Sequence, residues 1–490
     1  MSRNKKVFIQ LILMIILTGF TQVTTVMRTS IAAANYGASV EMDAYNFANT
    51  IASFLFGFLG TGITTVLIPA YINKTDKSDI NTFISAIFSV AIVFVAFSYI
   101  LRYQIIGFLT NSGQIFINIT CELLLLVLMT QFFTALLSVT NAYFQCRNQF
   151  NIPKVILLLC NILLIIVLVL KKDLSIYEYA STIGATAMLN LVFASVVAYK
   201  NKLRFIPTFN IHSSNFKRMI VVFVPTLFST GLYQISLLTD SLISSNLGVG
   251  KISVLNYSIQ IMTLINSLLI ANILIYIYPK IAEKIKDKDN QTFFWDYSIF
   301  FNSLICLIVA GMIIVGREGL SLLFERGLFN SSLTEIVYYC SVLFILGQPA
   351  NVLRDLIYRY FYAYGDTKTT FKNSILISII NIIISIILSR FIGLYGVILG
   401  TVISSYVSLT MIFFKFRLKF SLQFNARNLT IEYAKNIISM ISVTLILLWV
   451  KQWLDFHSLI LNILAYGSAT LTLYVGFIYL LKSKVFRMQY

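Results

Sequence analysis

Residues 153–170 read PKVILLLCNILLIIVLVL, a run whose one charge is Lys154 near its start. About 20 apolar residues in a helix cross the hydrocarbon core of a bilayer. Pro153 is tolerated at a helix start, and nothing after it breaks a helix. Similar runs recur at 7–34, 44–72, 82–101, 118–145, 177–199, 219–246, 253–280, 293–316, 334–361, 373–389, 394–416, 432–452 and 458–481. The count is fourteen. The 490-residue chain is 58% hydrophobic and 11% charged, with mean hydropathy +0.84. Soluble domains carry about 25% charged residues, which excludes a water-soluble multidomain enzyme. A disordered chain lacks this apolar content. The fold class is an all-α polytopic membrane protein, with Met1–Phe20 read as part of the first span and not as a cleaved signal.

The chain holds 37 Lys and Arg against 19 Asp and Glu, a net charge of +18. In a soluble protein this would point to nucleic acid. Placing the N-terminus in the cytoplasm leaves nine basic residues outside or within spans: Arg28, Arg102, Lys171, Lys172, Lys251, Arg317, Arg326, Arg390 and Lys451. The other 28 lie inside. That is the positive-inside pattern; it predicts two cytoplasmic termini, and nucleic acid is not needed.

The two halves echo each other. Gly19-x-x-Gln22 recurs as Gly231-x-x-Gln234, Asn35-Tyr36-Gly37 as Asn246-Leu247-Gly248, Tyr45 as Tyr257, Pro69 as Pro279, and Asn161 as Asn381. The order predicts two parallel six-helix lobes, 1–210 and 211–425, with 426–490 as two extra helices. Transporters with such repeats bind substrate between the lobes and rock about it.

Ionisable residues within spans are candidates for function. Arg28 in span 1 and Asp240 in span 7 stand at equivalent positions of the repeat, 212 residues apart. Snorkelling to the interface is the alternative for Arg28. Arg354, Asp355 and Arg359 form a gate candidate, with Asp355 and Arg359 spaced to pair on one face. Glu122 reads as a solvated helix start. Gln22, Gln131, Gln234 and Gln260 could bond a sugar or phosphate, or join helices. The five cysteines read as small buried hydrophobes, and His212 and His457 are too few for a metal site. No phosphate-cradling loop or catalytic grouping occurs. The chain therefore reads as a transporter and not an enzyme, requiring no cofactor beyond an ion gradient.

Three segments resemble the MurJ (MviN) flippase family, within the superfamily of multidrug, oligosaccharidyl-lipid and polysaccharide exporters. Asn35-Tyr36-Gly37-Ala38-Ser39 with Met42-Asp43-Ala44-Tyr45 is similar to its FGA…TDAF stretch, and the spacing from Asp43 to Pro69 matches without a gap. Residues 362–369, YAYGDTKT, are similar to YALGDTKTP; Gln234-Ile235-Ser236-Leu237 is the third segment. The resemblance implies a carrier of lipid-linked cell-wall precursors, above all lipid II, with cavity arginines that meet pyrophosphate. Arg28 and Asp43 match family positions. Gln22, Phe56 and Gln260 stand where the family keeps arginine, and Thr61 where it keeps glutamate, so the implied cavity is more neutral.

The resemblance also implies a sodium site at Asp240, Asn381, Val397 and Thr401, with Ser385 replacing a second acid. Sodium as coupling ion is the one metal expected. Substrate-binding candidates are thus Arg28, Gln22, Asp43, Gln260 and Gln234.

The resulting expectation is a monomeric flippase in the bacterial cytoplasmic membrane. It would carry an undecaprenyl-linked glycan precursor: lipid II, or a teichoic-acid or capsule repeat. The extra helices would hold the lipid tail, as they do in the family. The rivals are a cation-coupled multidrug exporter and a non-transporting scaffold.

Overall fold

The apolar runs fold as helices because a backbone in hydrocarbon must satisfy its own hydrogen bonds. The computed structural model describes residues 3–73, 75–171, 174–270, 292–364, 366–420 and 426–487. Its helices are α1 Arg3–Tyr36, α2 Val40–Ile72, α3 Lys77–Ile100, α4 Arg102–Leu109, α5 Gln114–Cys146, α6 Asn151–Leu170, α7 Ile176–Lys200, α8 Ser214–Ser245 and α9 Lys251–Ile265, which passes into a π turn at Asn266–Ile270. There follow α10 Thr292–Phe324, α11 Ser331–Leu346, α12 Gln348–Ala363, α13 Thr367–Ile392, α14 Leu394–Phe420, α15 Ala426–Trp453 and α16 Leu459–Leu480. Eleven spans among the described residues are long and apolar enough to cross a membrane. Pro279 of the repeat and Gly365 of the 362–369 motif lie outside the described residues.

Two local features depart from the expected spans. The connection after span 3 carries the short helix α4, where the Arg102 guanidinium lies 4.3 Å from the Tyr99 ring and 4.9 Å from Tyr103. The run 334–361 is interrupted at Gly347, between α11 and α12. Pro349, in the first turn of α12, lacks an N–H and crowds the preceding turn. The Tyr406 hydroxyl donates to the Leu346 carbonyl at 2.8 Å, satisfying an acceptor at the break.

The chain divides into two compact units, 1–256 and 257–490. The expected lobes are a division by repeat; these units are a division by packing, and their boundary falls within α9.

In the first unit α2 packs on α5 and α8, α1 on α6, and α5 on α7. Lipid is as apolar as leucine, so helices associate through close packing and polar contacts. Gln131 donates to Asn49 at 3.0 Å, Asn161 to Thr24 at 3.3 Å, and Thr110 shares a 2.9 Å hydrogen bond with Ser245. Apolar contact includes aromatic pairs, Phe47 on Phe116 and Phe56 on Phe132, and a non-aromatic cluster of Ile156, Cys160 and Ala194.

The second unit is built on two arrangements. Phe294, Trp295, Tyr360, Phe361 and Phe416 form an aromatic core among α10, α12 and α14. Helices α13 and α14 join through Gly393, whose φ of +57° ends α13 in a conformation costly for other residues. A Cβ added at Gly396 would lie 2.3 Å from the Leu388 backbone, so glycine is what lets this hairpin close. Beside it, α10 supports α15 and α16: Tyr474 donates to the Ser303 carbonyl at 2.8 Å and Lys451 to the Ile314 carbonyl at 2.6 Å.

Candidate functional site

Helix α1 carries a series of threonines in its membrane-spanning part. Thr18, Thr21, Thr24, Thr25 and Thr29 each donate back to a carbonyl of their own helix at 2.7–3.0 Å, which makes them tolerable in a membrane. Arg28 follows one turn after Thr24. Its Nε is buried and has no hydrogen-bond partner. Tyr45 in α2 and Tyr179 in α7 lie near it. Tyr179 stands between Tyr45 at 5.3 Å and Tyr36 at 5.6 Å, and the Tyr36 hydroxyl donates to the Leu174 carbonyl at 2.8 Å. A cation with spare donor capacity beside tyrosines is a place for an anionic or polar headgroup.

The other substrate candidates stand differently. Asp43 is 3% exposed, and its carboxylate accepts from the Gly250 N–H at 2.5 Å, the Ser253 N–H at 2.7 Å and the Ser253 hydroxyl at 2.6 Å. Here Asp43 caps the N-terminus of α9 and is enclosed by protein. Gln234 lies over Gly57: a Cβ there would sit 2.8 Å from its Nε2. It packs between α8 and α2, the joining role. Gln22 is half-buried on α1, and Gln260, in the second unit, is half-buried on α9. Phe56 is 1% exposed against Phe132, so an aromatic fills a position where the resemblance implied arginine.

The second unit brings four of the cation candidates together. Ser385 donates to Asn381 Oδ1 at 2.9 Å and approaches the Val397 carbonyl at 3.3 Å; Thr401 Oγ1 is 3.4 Å from the same carbonyl. Gly400 admits this contact, since a Cβ there would lie 2.3 Å from Ser385 Oγ. Such a set of neutral oxygens suits a small hard cation. Asp240, in the first unit, is buried, and its carbonyl accepts from Ser244 at 2.7 Å. Among the described residues no three His, Cys, Asp or Glu gather as a metal site.

At the gate candidate, Asp355 pairs with its chain neighbour Arg354 at 3.0 Å, where the four-residue spacing pointed to Arg359. Arg354 also lies 5.7 Å from the Tyr358 ring, and Asn373 donates to the Tyr358 hydroxyl at 2.9 Å. Glu122 sits in the third turn of α5 and not at its start; it accepts from the Tyr177 hydroxyl.

A buried ion pair escaped the sequence reading. Lys451 in α15 meets Glu318 in α10 at 2.5 Å, with Glu318 only 7% exposed. Lys451 within its apolar run and Glu318 just past the run 293–316 were visible, but 133 positions separate them and no spacing rule links them.

The family profile described as lipid II flippase MurJ matches residues 32–467. The chain belongs to this family. The sequence resemblance is therefore borne out. A probable lipid II flippase MurJ of Rickettsia prowazekii (strain Madrid E) is 25% identical over 377 residues, covering 74% of each chain. One of Vibrio cholerae serotype O1 is 22% identical over 384 residues, covering 74% of this chain and 73% of the relative. A solved lipid II flippase MurJ in an inward closed conformation shares the fold with TM-score 0.82 at 21% identity, over 96% of this chain and 98% of that one. An inward-facing multidrug resistance MATE family transporter gives TM-score 0.62 at 14% identity, over 83% and 94%. The fold is the family's, and the multidrug transporter shares it at lower similarity.

Proposed function

We propose that the chain flips an undecaprenyl-pyrophosphate-linked cell-wall glycan precursor from the inner to the outer leaflet of the bacterial cytoplasmic membrane by alternating access. Fourteen helices form two six-helix lobes, 1–210 and 211–425, with 426–490 beside them and both termini cytoplasmic, in a monomer. The observation that carries the reading is Arg28: a guanidinium with an unpartnered, buried Nε in a chain of the lipid II flippase family. Guanidinium binds pyrophosphate through paired, charge-assisted hydrogen bonds. The polyprenyl tail stays in lipid, and no covalent bond changes.

Asn381, Ser385, the Val397 carbonyl and Thr401 would hold a sodium ion, and Asp240 stays a candidate ligand from the resemblance alone. When bound, the ion supplies a positive charge that biases the conformational equilibrium by its differing affinity for the two states.

The cargo is lipid II, or a teichoic-acid or capsule repeat on the same carrier. Phe56, packed on Phe132, removes a charge that a pyrophosphate site would use whichever glycan the carrier bears, so recognition of the pyrophosphate falls to Arg28. Depletion of the protein followed by lipid extraction tests the reading. Accumulation of one undecaprenyl-linked intermediate identifies the cargo; no accumulating lipid contradicts the proposal. Drug sensitivity with a normal cell wall would favour a multidrug exporter instead.

A further inference from the structure

Residues 203–211, LRFIPTFNI, join α7 to α8 without helix or strand. Phe205, Ile206, Phe209 and Ile211 are 41%, 63%, 64% and 51% exposed, an unusual apolar content for a connection. The segment is pinned along one edge. The Thr208 N–H donates to Ser85 Oγ at 3.3 Å, its hydroxyl to the Ser78 carbonyl at 3.1 Å, and the Asn210 N–H to Thr82 Oγ1 at 3.1 Å. These bonds hold it to the first turns of α3, the Phe205 ring also lies 6.0 Å from Phe88 of that helix, and Ile206, Phe209 and Ile211 are left on the free edge. Charge surrounds that edge: Lys200, Lys202, Arg204, Lys217 and Arg218 are exposed, and no Asp or Glu occurs from 179 to 239. Of the acids at the start of α3, Asp76 caps the helix through the Ser78 N–H, and Asp79 is buried and bonded by Asn215 at 2.9 Å.

Position and backbone fix the depth. The segment begins three residues beyond the end of α7, a candidate span, so it lies at the membrane boundary. Irregular backbone exposed to hydrocarbon would leave its polar groups unsatisfied, which confines it to the headgroup layer. Apolar side chains that insert there, flanked by basic residues, bind membranes through both terms together.

We propose that residues 203–211 form an interfacial anchor for anionic lipid headgroups. Ile206, Phe209 and Ile211 enter the acyl boundary, with Phe205 braced on Phe88 beside them, and Lys200, Lys202, Arg204, Lys217 and Arg218 meet the lipid phosphates. The anchor ties the starts of α3 and α8 to the membrane plane and is independent of the cargo. Each basic residue removed lowers the preference for anionic over zwitterionic lipid by on the order of fivefold.

The test places the full chain in nanodiscs of phosphatidylcholine, alone or with about 30 mol% phosphatidylglycerol. Phe209→Trp serves as reporter, with the parent emission of Trp295, Trp449 and Trp453 subtracted; Ile206→Trp is the second reporter should the first variant fold poorly. The expected result is quenching of the added emission by a headgroup nitroxide lipid, stronger with phosphatidylglycerol. Lys202→Gln with Arg204→Gln should remove that increment. Emission quenched by aqueous iodide and not by lipid, or quenched equally in both compositions, would overturn the proposal.

Discussion

The carboxylate of Asp43 receives two hydrogen bonds from Ser253, from its backbone N–H at 2.7 Å and its hydroxyl at 2.6 Å. With the Gly250 N–H, it supplies from α2 the acceptor that the first turn of α9 lacks. The negative charge also complements the positive end of that helix.

Asp43→Ala strands two backbone donors and a hydroxyl in a buried place. It should cost about 2–3 kcal/mol, while Asp43→Asn, which keeps an acceptor, costs about 1 kcal/mol. Thermal unfolding in detergent reads both. An unchanged melting temperature with transport lost would return Asp43 to the substrate.

Arg28→Gln should slow transport at least tenfold, the size of one charge-assisted hydrogen bond, with little change in melting temperature. Arg28→Lys keeps a point charge and should fall between. Rescue of a depleted strain measures this. Full rescue by Arg28→Gln would mean that the guanidinium only snorkels.

Gly400→Ala places a Cβ 2.3 Å from Ser385 Oγ and should destabilise the α13–α14 hairpin by about 1–3 kcal/mol. Any dependence of the melting temperature on sodium should shrink with it. Gly311→Ala in α10 meets nothing within 4 Å and serves as the control, where the helix should be neutral or slightly more stable. Equal behaviour of the two variants would show that close packing at Gly400 is unimportant.

Asp366, outside the spans, caps α13 and pairs with Lys419. The Lys419 ammonium foremost, then the Thr369 N–H and hydroxyl, hold its carboxyl down from 3.8 to about 2. A depressed value stabilises fully above 3.8, and the contribution is lost as pH falls toward 2. The pair is solvent-screened, so the effect is on the order of 1 kcal/mol. Unfolding measured between pH 5 and pH 2, roughly the span of that titration, should show a slope that Asp366→Asn removes. The same slope in the variant would assign it elsewhere.

Helix positions were legible because hydrocarbon demands a long apolar run, and residues 153–170 fold as α6 accordingly. The interruption at Gly347 was missed: Gly347 with Pro349 carries a signal for it, but the hydropathy of the surrounding run conceals it. Partners across the fold were not legible. Asp43 lies 207 and 210 positions from Gly250 and Ser253, so a matching motif placed it in a loop with no indication of what its carboxylate holds. The Asn381, Ser385, Val397 and Thr401 cluster was approached through family resemblance, and the glycines that let its helices touch carry no such signal in one sequence.

Reconstitution tests the flippase account most directly. Purified protein in proteoliposomes is given lipid II, a lipid-linked teichoic-acid repeat or a lipid-linked capsule repeat on one leaflet, and transfer is followed by a reagent that reaches only the other. The account predicts transfer of at least one of these lipids by the parent protein and its loss in Arg28→Gln. Transfer of none of the three by folded protein, with and without a sodium gradient, would contradict it.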